Sequence, residues 1–268
     1  SGAGPHGAGR SVENPVGLPV VTMIGGGQLA RMTHQAAIAL GQCLRVLAAD
    51  PADPAAQVSA DVVLGSHDAL DDLRRAAAGA VALTFDHEGV PLEHLRQLEA
   101  DGVAVRPPSA ALQFAQDKLA MRRRLADLGL PVPDFADLSG DREQARARLV
   151  EFGEAHDWEI VLKTVRGGYD GRGVWLLDRR DAALDVFDTH PVDRPALIAE
   201  SRVAMRRELS AMIARSPFGQ GGAWPVVETV QRHGQCAVVL APAPGLDDAV
   251  AAQAQPVSYT HLTLPTSD

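Results

Sequence analysis

Short apolar runs and stretches of helical spacing alternate over about the first 100 residues of the chain. The apolar runs predict strands at residues 18–24, 44–49, 62–64 and 81–85. Between these runs, helical spacing first predicts a helix whose apolar face carries Leu29, Met32, Ala36 and Leu40. It then predicts helices at 70–78 and 92–100. Strands that alternate with helices indicate an α/β domain with a parallel sheet and helices on both of its faces.

The pattern changes after Pro107 and Pro108. A helix is predicted from about residue 109 to Leu128, and a polar helix follows at 142–155. Beyond them, short strands with tight turns are predicted at 160–165, 173–177, 197–200, 208–214, 226–230 and 237–240. We therefore expect a Rossmann-like parallel-sheet domain over residues 18–108 and a mainly antiparallel α+β domain over 109–255.

The two ends of the chain do not fit these domains. Residues 1–17 are rich in Gly, Pro and polar groups and lack the apolar core of a signal peptide, so we expect a disordered head. Residues 256–268 continue neither a helix nor a strand. We interpret them as a non-native tail, which implies that the second domain is truncated at its C-terminal side.

The charge balance limits the classes of partner. The chain has 25 Lys and Arg against 34 Asp and Glu, a net charge of −9, which argues against a nucleic-acid coat protein or a membrane-surface binder. Its two cysteines, Cys43 and Cys236, build neither a disulfide framework nor a cysteine zinc site. No apolar run approaches the roughly 20 residues of a membrane span. We expect a cytoplasmic protein.

A glycine-rich loop follows the first predicted strand. Residues 25–30 read Gly-Gly-Gly-Gln-Leu-Ala, and Asp50 lies twenty residues beyond Ala30 at the end of the next strand. Glycines let the backbone approach an anion, which the N–H groups of a helix N-terminus then bind. The loop fits a dinucleotide, another phosphate-bearing ligand, or a purely structural turn.

A second glycine-rich segment, Arg-Gly-Gly-Tyr-Asp-Gly-Arg-Gly at residues 166–173, lies between two predicted strands. Four glycines and two arginines exceed what a structural hairpin needs and favour a flap over phosphate. Lys163, just before it, shares a strand face with Val161 and Val165, so its ammonium requires an anionic partner unless it is a solvated edge-strand lysine.

Acidic groups lie at the ends of three predicted strands. The backbone after Glu200 is free to read an adenine edge, and Glu208 is placed to accept from ribose hydroxyls, although two isolated glutamates carry little information. Asp86, His87 and Glu88 follow the strand at 81–85, where open α/β sheets bind ligands. They are equally consistent with a solvated loop.

Taken together, these motifs resemble the ATP-grasp superfamily. Within it, they resemble the purine-biosynthesis ligases that carboxylate 5-aminoimidazole ribonucleotide. The resemblance spans about residues 20–243 and includes residues 25–32, Asp50-Pro51, Thr84–Glu88, Gln116–Lys118, 162–173, Glu200 to Glu208, and 225–230. The combination of Gly-Gly-Gly-Gln-Leu with Gly-Gly-Tyr-Asp-Gly-Arg-Gly is the most specific part of it.

The resemblance implies a pre-ATP-grasp domain followed by an ATP-grasp domain. It also implies a ligase that uses Mg²⁺-ATP to activate bicarbonate as carboxyphosphate, and a homodimer. The implied nucleotide-binding residues are Lys118, Lys163, Gly168, Tyr169, Asp170, Gly171, Arg172, Gly173, Val174, Glu200, Ser201, Arg202, Val203, Glu208 and Gln231. Tyr169, Asp170 and Arg172 are the implied catalytic residues, which would hold substrate and carboxyphosphate. The implied cradle for the ribonucleotide phosphate comprises Gly26, Gly27, Gln28 and Leu29.

The chain departs from the family pattern at three points. Gln231 replaces a histidine that contacts ATP in some members, and Ala30 stands where the family often has Gly. The acidic elements that bind magnesium in the family would lie beyond residue 243, so we assign no metal ligand. Two other functions stay open: an NAD-dependent oxidoreductase that uses the loop at 25–27, and a non-catalytic nucleotide-binding fragment.

Overall fold

The computed structural model of the protein describes residues 17–168 and 172–254, so most of the predicted head and the whole predicted tail lie outside the described residues. The chain divides into two compact units between Gln113 and Phe114. Each unit has its own hydrophobic cores, and each contains one of the two clefts described below.

The first unit is an α/β layer structure. Its elements are β1 (Val20–Ile24), α1 (Gln28–Ala39), β2 (Cys43–Ala48), β3 (Asp61–Leu64), α2 (Leu70–Ala77), β4 (Ala82–Phe85) and α3 (Leu92–Ala100). The four strands are parallel in the order β3-β2-β1-β4. Because successive side chains alternate across a strand, Met23 packs into a core with Ala30 and Ala37 of α1, whereas Ile24 packs into a second core with residues of α2 and α3.

Helix α1 packs against the sheet through its small residues rather than through the predicted face. Ala30 is fully buried and Ala37 nearly so, while Leu29 is 62% exposed and Met32 57% exposed. Leu40, just after the helix, is also exposed. The expectation that the large apolar residues mark the packed face is therefore wrong, because alanines allow the helix to approach the strands closely.

The second unit begins with two helices where one was predicted. These are α4 (Ser109–Gln116), which crosses the boundary between the units, and α5 (Lys118–Asp127). Asp117 separates them, with an extended backbone and a carboxylate that accepts from the N–H of Ala120 at 2.8 Å. It is the N-cap of α5, so a single residue ends one helix and begins the next.

An antiparallel sheet in the order β5-β8-β6-β7 forms the centre of the second unit. Its elements, in chain order, are β5 (Phe135–Asp137), α6 (Arg142–Ala155), β6 (Ile160–Thr164), β7 (Val174–Leu177), α7 (Arg180–Thr189) and β8 (Leu197–Ser201). The apolar residues of α6 and α7, Leu149 and Phe187 among them, bury one face of the sheet. Strand β5 and helix α7 were not predicted.

The remaining strands form two small antiparallel sheets. They are β9 (Glu208–Ser210), β10 (Ile213–Arg215), β11 (Gly221–Ala223), β12 (Val227–Arg232) and β13 (Gln235–Leu240). The single strand predicted at 208–214 is two strands, because β9 pairs with β12 whereas β10 pairs with β11. In the three-stranded sheet, β13 lies at an edge and all six of its residues are exposed.

Candidate functional site

Strands β6 and β8 place the predicted lysine and glutamate on the face of the sheet that α6 and α7 leave open. Val161 lies directly opposite Glu200 in the antiparallel register, and Lys163 is two residues further along the same face. Diagonal neighbours of this kind are within reach of long side chains. The period-2 expectation for Lys163 is confirmed, and β6 is an inner strand rather than an edge strand.

Glu200 is the centre of a three-residue ion cluster. Lys163 Nζ donates to its Oε2 at 2.6 Å. Arg122, on α5, donates from Nε to Oε1 at 2.9 Å and from Nη2 to Oε2 at 3.2 Å. The anionic partner that Lys163 required is thus supplied by the protein itself.

The cluster fixes the ionisation of Glu200. Its side chain is only 3% exposed, and burial by itself would raise the pKa of the carboxyl. Hydrogen bonds from Arg122 and Lys163, together with their positive charges, outweigh burial and lower the pKa below its ordinary value of 4.5. The carboxylate is therefore charged at neutral pH, and the three side chains carry a net charge of +1.

A cleft of about 690 Å³ opens over this cluster. Apolar side chains of Val161, Leu176 and Met205 contribute to its walls. The end of β8 and the segment after it form another wall, through Ser201, Arg202, Val203 and Ala204. An apolar slot beside a net positive cluster suits a flat aromatic group that carries anionic substituents.

The predicted flap is anchored to the start of α5. The N–H of Lys118 donates to the carbonyl of Val165 at 2.9 Å, and its Nζ donates to the carbonyl of Gly167 at 2.7 Å. Asp117, the N-cap, also accepts from Nε of Arg166 at 3.0 Å. Lys118 therefore lies beside the flap, and its contact with a nucleotide stays a prediction.

Two flap glycines occupy positions that other residues would not fit. Gly168 and Gly173 have φ values of +80° and +70°. A Cβ atom on Gly173 would lie 2.7 Å from Oγ1 of Thr164, whose hydroxyl is buried without a hydrogen-bond partner among the described residues. Arg172 is exposed, and Val174 begins β7 opposite Lys163. The predicted Tyr169, Asp170 and Gly171 lie outside the described residues.

The other two predicted nucleotide contacts lie on a different sheet. Glu208 pairs with Thr229 across β9 and β12, and Gln231 lies further along β12 at a bulge. Neither belongs to the described lining of the cleft around Glu200. Their roles stay predictions.

A separate crevice lies in the first unit at the point where the strand order reverses. The connection from β1 leads to β2 on one side, while β4 lies on the other side of β1, and ligands of open α/β sheets bind at such points. The crevice measures about 430 Å³, and its lining includes the whole loop from Gly25 to Leu29. The predicted Gly26, Gly27, Gln28 and Leu29 thus share one crevice.

Asp86 is, with Asp53, one of the two acidic residues among the described lining of this crevice. Its side chain is 7% exposed, and its Oδ2 accepts from the N–H of Gly27 at 3.0 Å. Its Oδ1 is buried without a hydrogen-bond partner among the described residues. His87 and His67 lie beside it, with ring centroids 4.7 Å apart. Among the described residues that line the crevice there is no Lys or Arg.

Arg122 and Asp53 are among the residues of these sites that sequence reasoning missed. Arg122 lies one helical turn after Lys118 on α5. This i, i+4 spacing places the two residues on the same face of the helix, and it is the sequence signal that could have identified Arg122. Asp53 lines the crevice of the first unit and accepts from the N–H groups of Ala49 and Asp50. The Asp-Pro-x-Asp sequence at residues 50–53 indicates such a turn.

The described residues lack two further features. No group of three or more His, Cys, Asp or Glu side chains there is arranged to hold a metal ion. None of the described helices combines the length and the apolar character needed to cross a membrane.

The fold and the clefts agree with two matching domain families. A ribonucleotide synthetase preATP-grasp domain matches residues 18–116, and an ATP-grasp domain matches residues 123–263. The chain belongs to the ATP-grasp family, and the α/β parallel sheet of the first unit is its pre-ATP-grasp domain.

Within that family the chain is similar to N5-carboxyaminoimidazole ribonucleotide synthases. The enzyme of that name from Mycobacterium leprae is 57% identical over 88% of this chain and 54% of its own length. Two Aspergillus clavatus structures are also similar. The synthase complexed with ATP has a TM-score of 0.81 and 30% identity, and covers 91% of this chain. The synthase with ADP and 5-aminoimidazole ribonucleotide has a TM-score of 0.80 and 29% identity, with the same coverage.

The chain spans about half the length of the curated relatives it matches. It also covers 63% and 62% of the two Aspergillus clavatus chains. The family assignment rests on both units, because both family models match.

Proposed function

We propose that the protein is an ATP-dependent ligase that carboxylates 5-aminoimidazole ribonucleotide with bicarbonate through carboxyphosphate. The products are N5-carboxyaminoimidazole ribonucleotide, ADP and phosphate, in de novo purine biosynthesis. The observation that carries this proposal is the cleft over Glu200, where Lys163 and Arg122 converge beside an apolar slot. The similarity to synthases of that name supports the choice of substrates.

The described residues of the cleft fit an adenine nucleotide. The backbone after Glu200 is less available than expected, because the N–H groups of Ser201 and Arg202 already donate to the carbonyls of Asp134 and Glu159. The N–H of Val203, beside the apolar walls, is the donor we propose for an adenine edge. Lys163 and Lys118 supply positive charge for phosphates, and the glycines at 168 and 173 permit close approach of a phosphate to the backbone. Bound ATP supplies the phosphoryl group that activates bicarbonate, while these residues orient it and balance its charge.

The crevice at the switch point fits the ribonucleotide substrate. Helix α1 has no side-chain cap, so the amides of Gln28 and Leu29 at its N-terminus suit the phosphate. Gly27 is a poorer donor than predicted, because its N–H is already bound to Asp86. Oδ1 of Asp86 is buried and lies 3.9 Å from Nε2 of His87, so the phosphate is better placed at the amides of Gln28 and Leu29 than beside this carboxylate.

The same crevice argues against the NAD-dependent alternative. A dinucleotide pyrophosphate needs the loop amides, and the Asp86 carboxylate occupies that of Gly27. Asp50, the acid at the motif's spacing beyond Ala30, accepts from the N–H of Ala52 at 2.7 Å. Asp86 therefore occupies one of the loop amides that a pyrophosphate would need, whereas Asp50 is bonded within its own turn.

Magnesium, the homodimer and the cytoplasmic location belong to this proposal through the family similarity alone. The described residues offer no group of metal ligands, so we assign none and derive no step through the metal. Bicarbonate likewise has no assigned contact among them.

Thermal-shift titration with Mg²⁺-ATP, Mg²⁺-ADP and NADH tests the proposal. We expect both adenine nucleotides to raise the melting temperature, and Lys163→Ala to abolish that rise. Stabilisation by NADH alone would support the oxidoreductase instead. ADP formation that requires both bicarbonate and 5-aminoimidazole ribonucleotide separates the ligase from a non-catalytic nucleotide-binding fragment.

A further inference from the structure

Arg122 holds Glu200 more completely than Lys163 does. Its guanidinium contacts both carboxylate oxygens, from Nε and from Nη2, whereas Lys163 contacts only Oε2. A planar guanidinium fits a carboxylate in two-point fashion, whereas an ammonium acts as a point charge on a flexible stem. Of the two cations, Lys163 is therefore the one that can leave the carboxylate.

A buried carboxylate cannot lose all of its counter-charge. Glu200 is almost fully buried, and a buried anion without a cation is strongly unfavourable. With Arg122 in place, the carboxylate stays neutralised when Lys163 turns towards an anion in the cleft. Without Arg122, Lys163 is the only remaining cation in hydrogen-bond contact with Glu200 among the described residues, and the carboxylate would retain it.

We propose that Arg122 is a positioning residue that holds Glu200 so that Lys163 is free to exchange this carboxylate for a nucleotide phosphate. The inference rests on the proposed function, because it requires that a nucleotide binds in this cleft. It assigns Arg122 a role in phosphate affinity without direct contact between its guanidinium and the phosphate.

The neighbouring residue Arg123 provides a matched control. It lies on the same helix and also forms an ion pair, with Asp137 at 2.7 Å, but its side chain is 58% exposed. It does not belong to the described lining of the cleft. Arg123→Gln therefore removes a positive charge and an ion pair from α5 without changing the Glu200 cluster.

The experiment compares the affinities of ATP and adenosine, measured by calorimetry on the full chain and three variants. Adenosine lacks phosphates, so the ratio of the two affinities isolates the part that depends on the phosphates, to which Lys163 contributes. We expect Arg122→Gln to lower the ATP affinity at least about tenfold, roughly one charge-assisted hydrogen bond, and to leave the adenosine affinity nearly unchanged. Arg123→Gln should change neither.

The double variant Arg122→Gln/Glu200→Gln gives the decisive result. A neutral amide at position 200 no longer retains Lys163, so the ratio of ATP to adenosine affinity should recover towards that of the unmodified chain. A purely structural role for Arg122 predicts instead that both affinities fall together, and that the double variant does not restore their ratio.

Each other outcome has a defined meaning. An unchanged ATP affinity in Arg122→Gln overturns the inference but leaves the proposed function intact. Failure of the unmodified chain to bind ATP overturns both. If Arg122→Gln does not fold, Arg122→Lys tests the same point, because it keeps the charge but loses the two-point contact. An unchanged affinity ratio in that variant also contradicts the inference.

Discussion

The N–H of Gly27 donates to the Asp86 carboxylate at 3.0 Å and thereby joins two loops that are 59 residues apart in the chain. The two loops follow β1 and β4, which are neighbours in the parallel sheet. One carboxylate therefore sets the path of the glycine-rich loop from the adjacent strand. Gly25, at the end of β1, packs against the same side chain with φ at +113°.

Gly25→Ala should be strongly destabilising. A Cβ atom there would collide with the Asp86 carboxylate, and the backbone conformation is one that side-chain-bearing residues rarely adopt. We expect a loss of about 3 kcal/mol in the free energy of unfolding, measured with urea. Gly41→Ala is the control, because Gly41 has φ at +66° but open space around it, and should cost about 1 kcal/mol. Equal losses would exclude the collision.

Substitutions on the exposed and the buried face of α1 should differ in their effect on the free energy of unfolding. Met32→Gln changes an exposed side chain, so we expect the free energy of unfolding to stay within about 0.5 kcal/mol. Ala30→Leu forces a larger side chain into a fully buried position, with an expected loss of about 1–3 kcal/mol. Chemical denaturation of both variants measures the difference. A larger loss in Met32→Gln would mean that the predicted apolar face is packed after all.

Removal of the Asp117 carboxylate should weaken both α5 and the flap anchor. Asp117→Ala deletes the helix cap and the partner of Arg166, and we expect a loss of about 1–2 kcal/mol in the free energy of unfolding. Asp127→Ala, at the other end of the helix, should be neutral or slightly stabilising, because a negative charge there opposes the helix dipole. Similar losses in the two variants would argue against the cap.

Glu200 should contribute to stability in a pH-dependent manner. Although burial raises its pKa, the hydrogen bonds and charges of Arg122 and Lys163 lower it overall, below 4.5. A lowered pKa in the folded state gives stability that is fully present above about pH 4.5 and is lost as the pH falls through the folded-state value. Melting curves of the unmodified chain and Glu200→Gln should converge on acidification below that point. A constant difference would contradict this assignment.

The stability that His156 contributes should depend on pH in the opposite direction to that of Glu200. Its Nδ1 lies 2.8 Å from the carbonyl of Phe152 and its Nε2 lies 3.2 Å from the Asp134 carboxylate, so both ring nitrogens face acceptors. The Phe152 carbonyl, aided by Asp134, raises the pKa of His156 above 6.5 despite partial burial. The resulting stability is fully present below pH 6.5 and is lost as the pH rises through the folded-state value. NMR titration of the His156 ring measures this pKa, and a value at or below 6.5 would refute the prediction.

Local patterns in the sequence predicted most of the elements but not all of the contacts between them. The strands of the first unit follow from their apolar runs, whereas the buried face of α1 does not, because alanine packing depends on how near the helix lies to the sheet. The break at Asp117 was missed because a capping residue interrupts an otherwise continuous helical pattern. Helix α7 was missed although Ala183 and Phe187 have helical spacing.

The chemistry of the cleft was only partly accessible from the sequence. Strand alternation correctly placed Lys163 on the same strand face as Val161, and the need for an anionic partner was also correct. The identity of that partner depends on the register between β6 and β8, which no local pattern specifies. The contact between Arg122 and Glu200 depends further on how α5 packs over that sheet. Residue spacing alone therefore predicts neither the ion cluster nor the role we propose for Arg122.

The exposed strand β13 has a consequence for handling the chain in solution. It lies at the edge of its sheet, and Val238, Val239 and Leu240 are all more than a third exposed. An apolar strand edge is a template for hydrogen bonding to a strand of another molecule. Self-association at high concentration should therefore begin at this edge, and a charged residue in place of Val239 should delay it without changing either cleft.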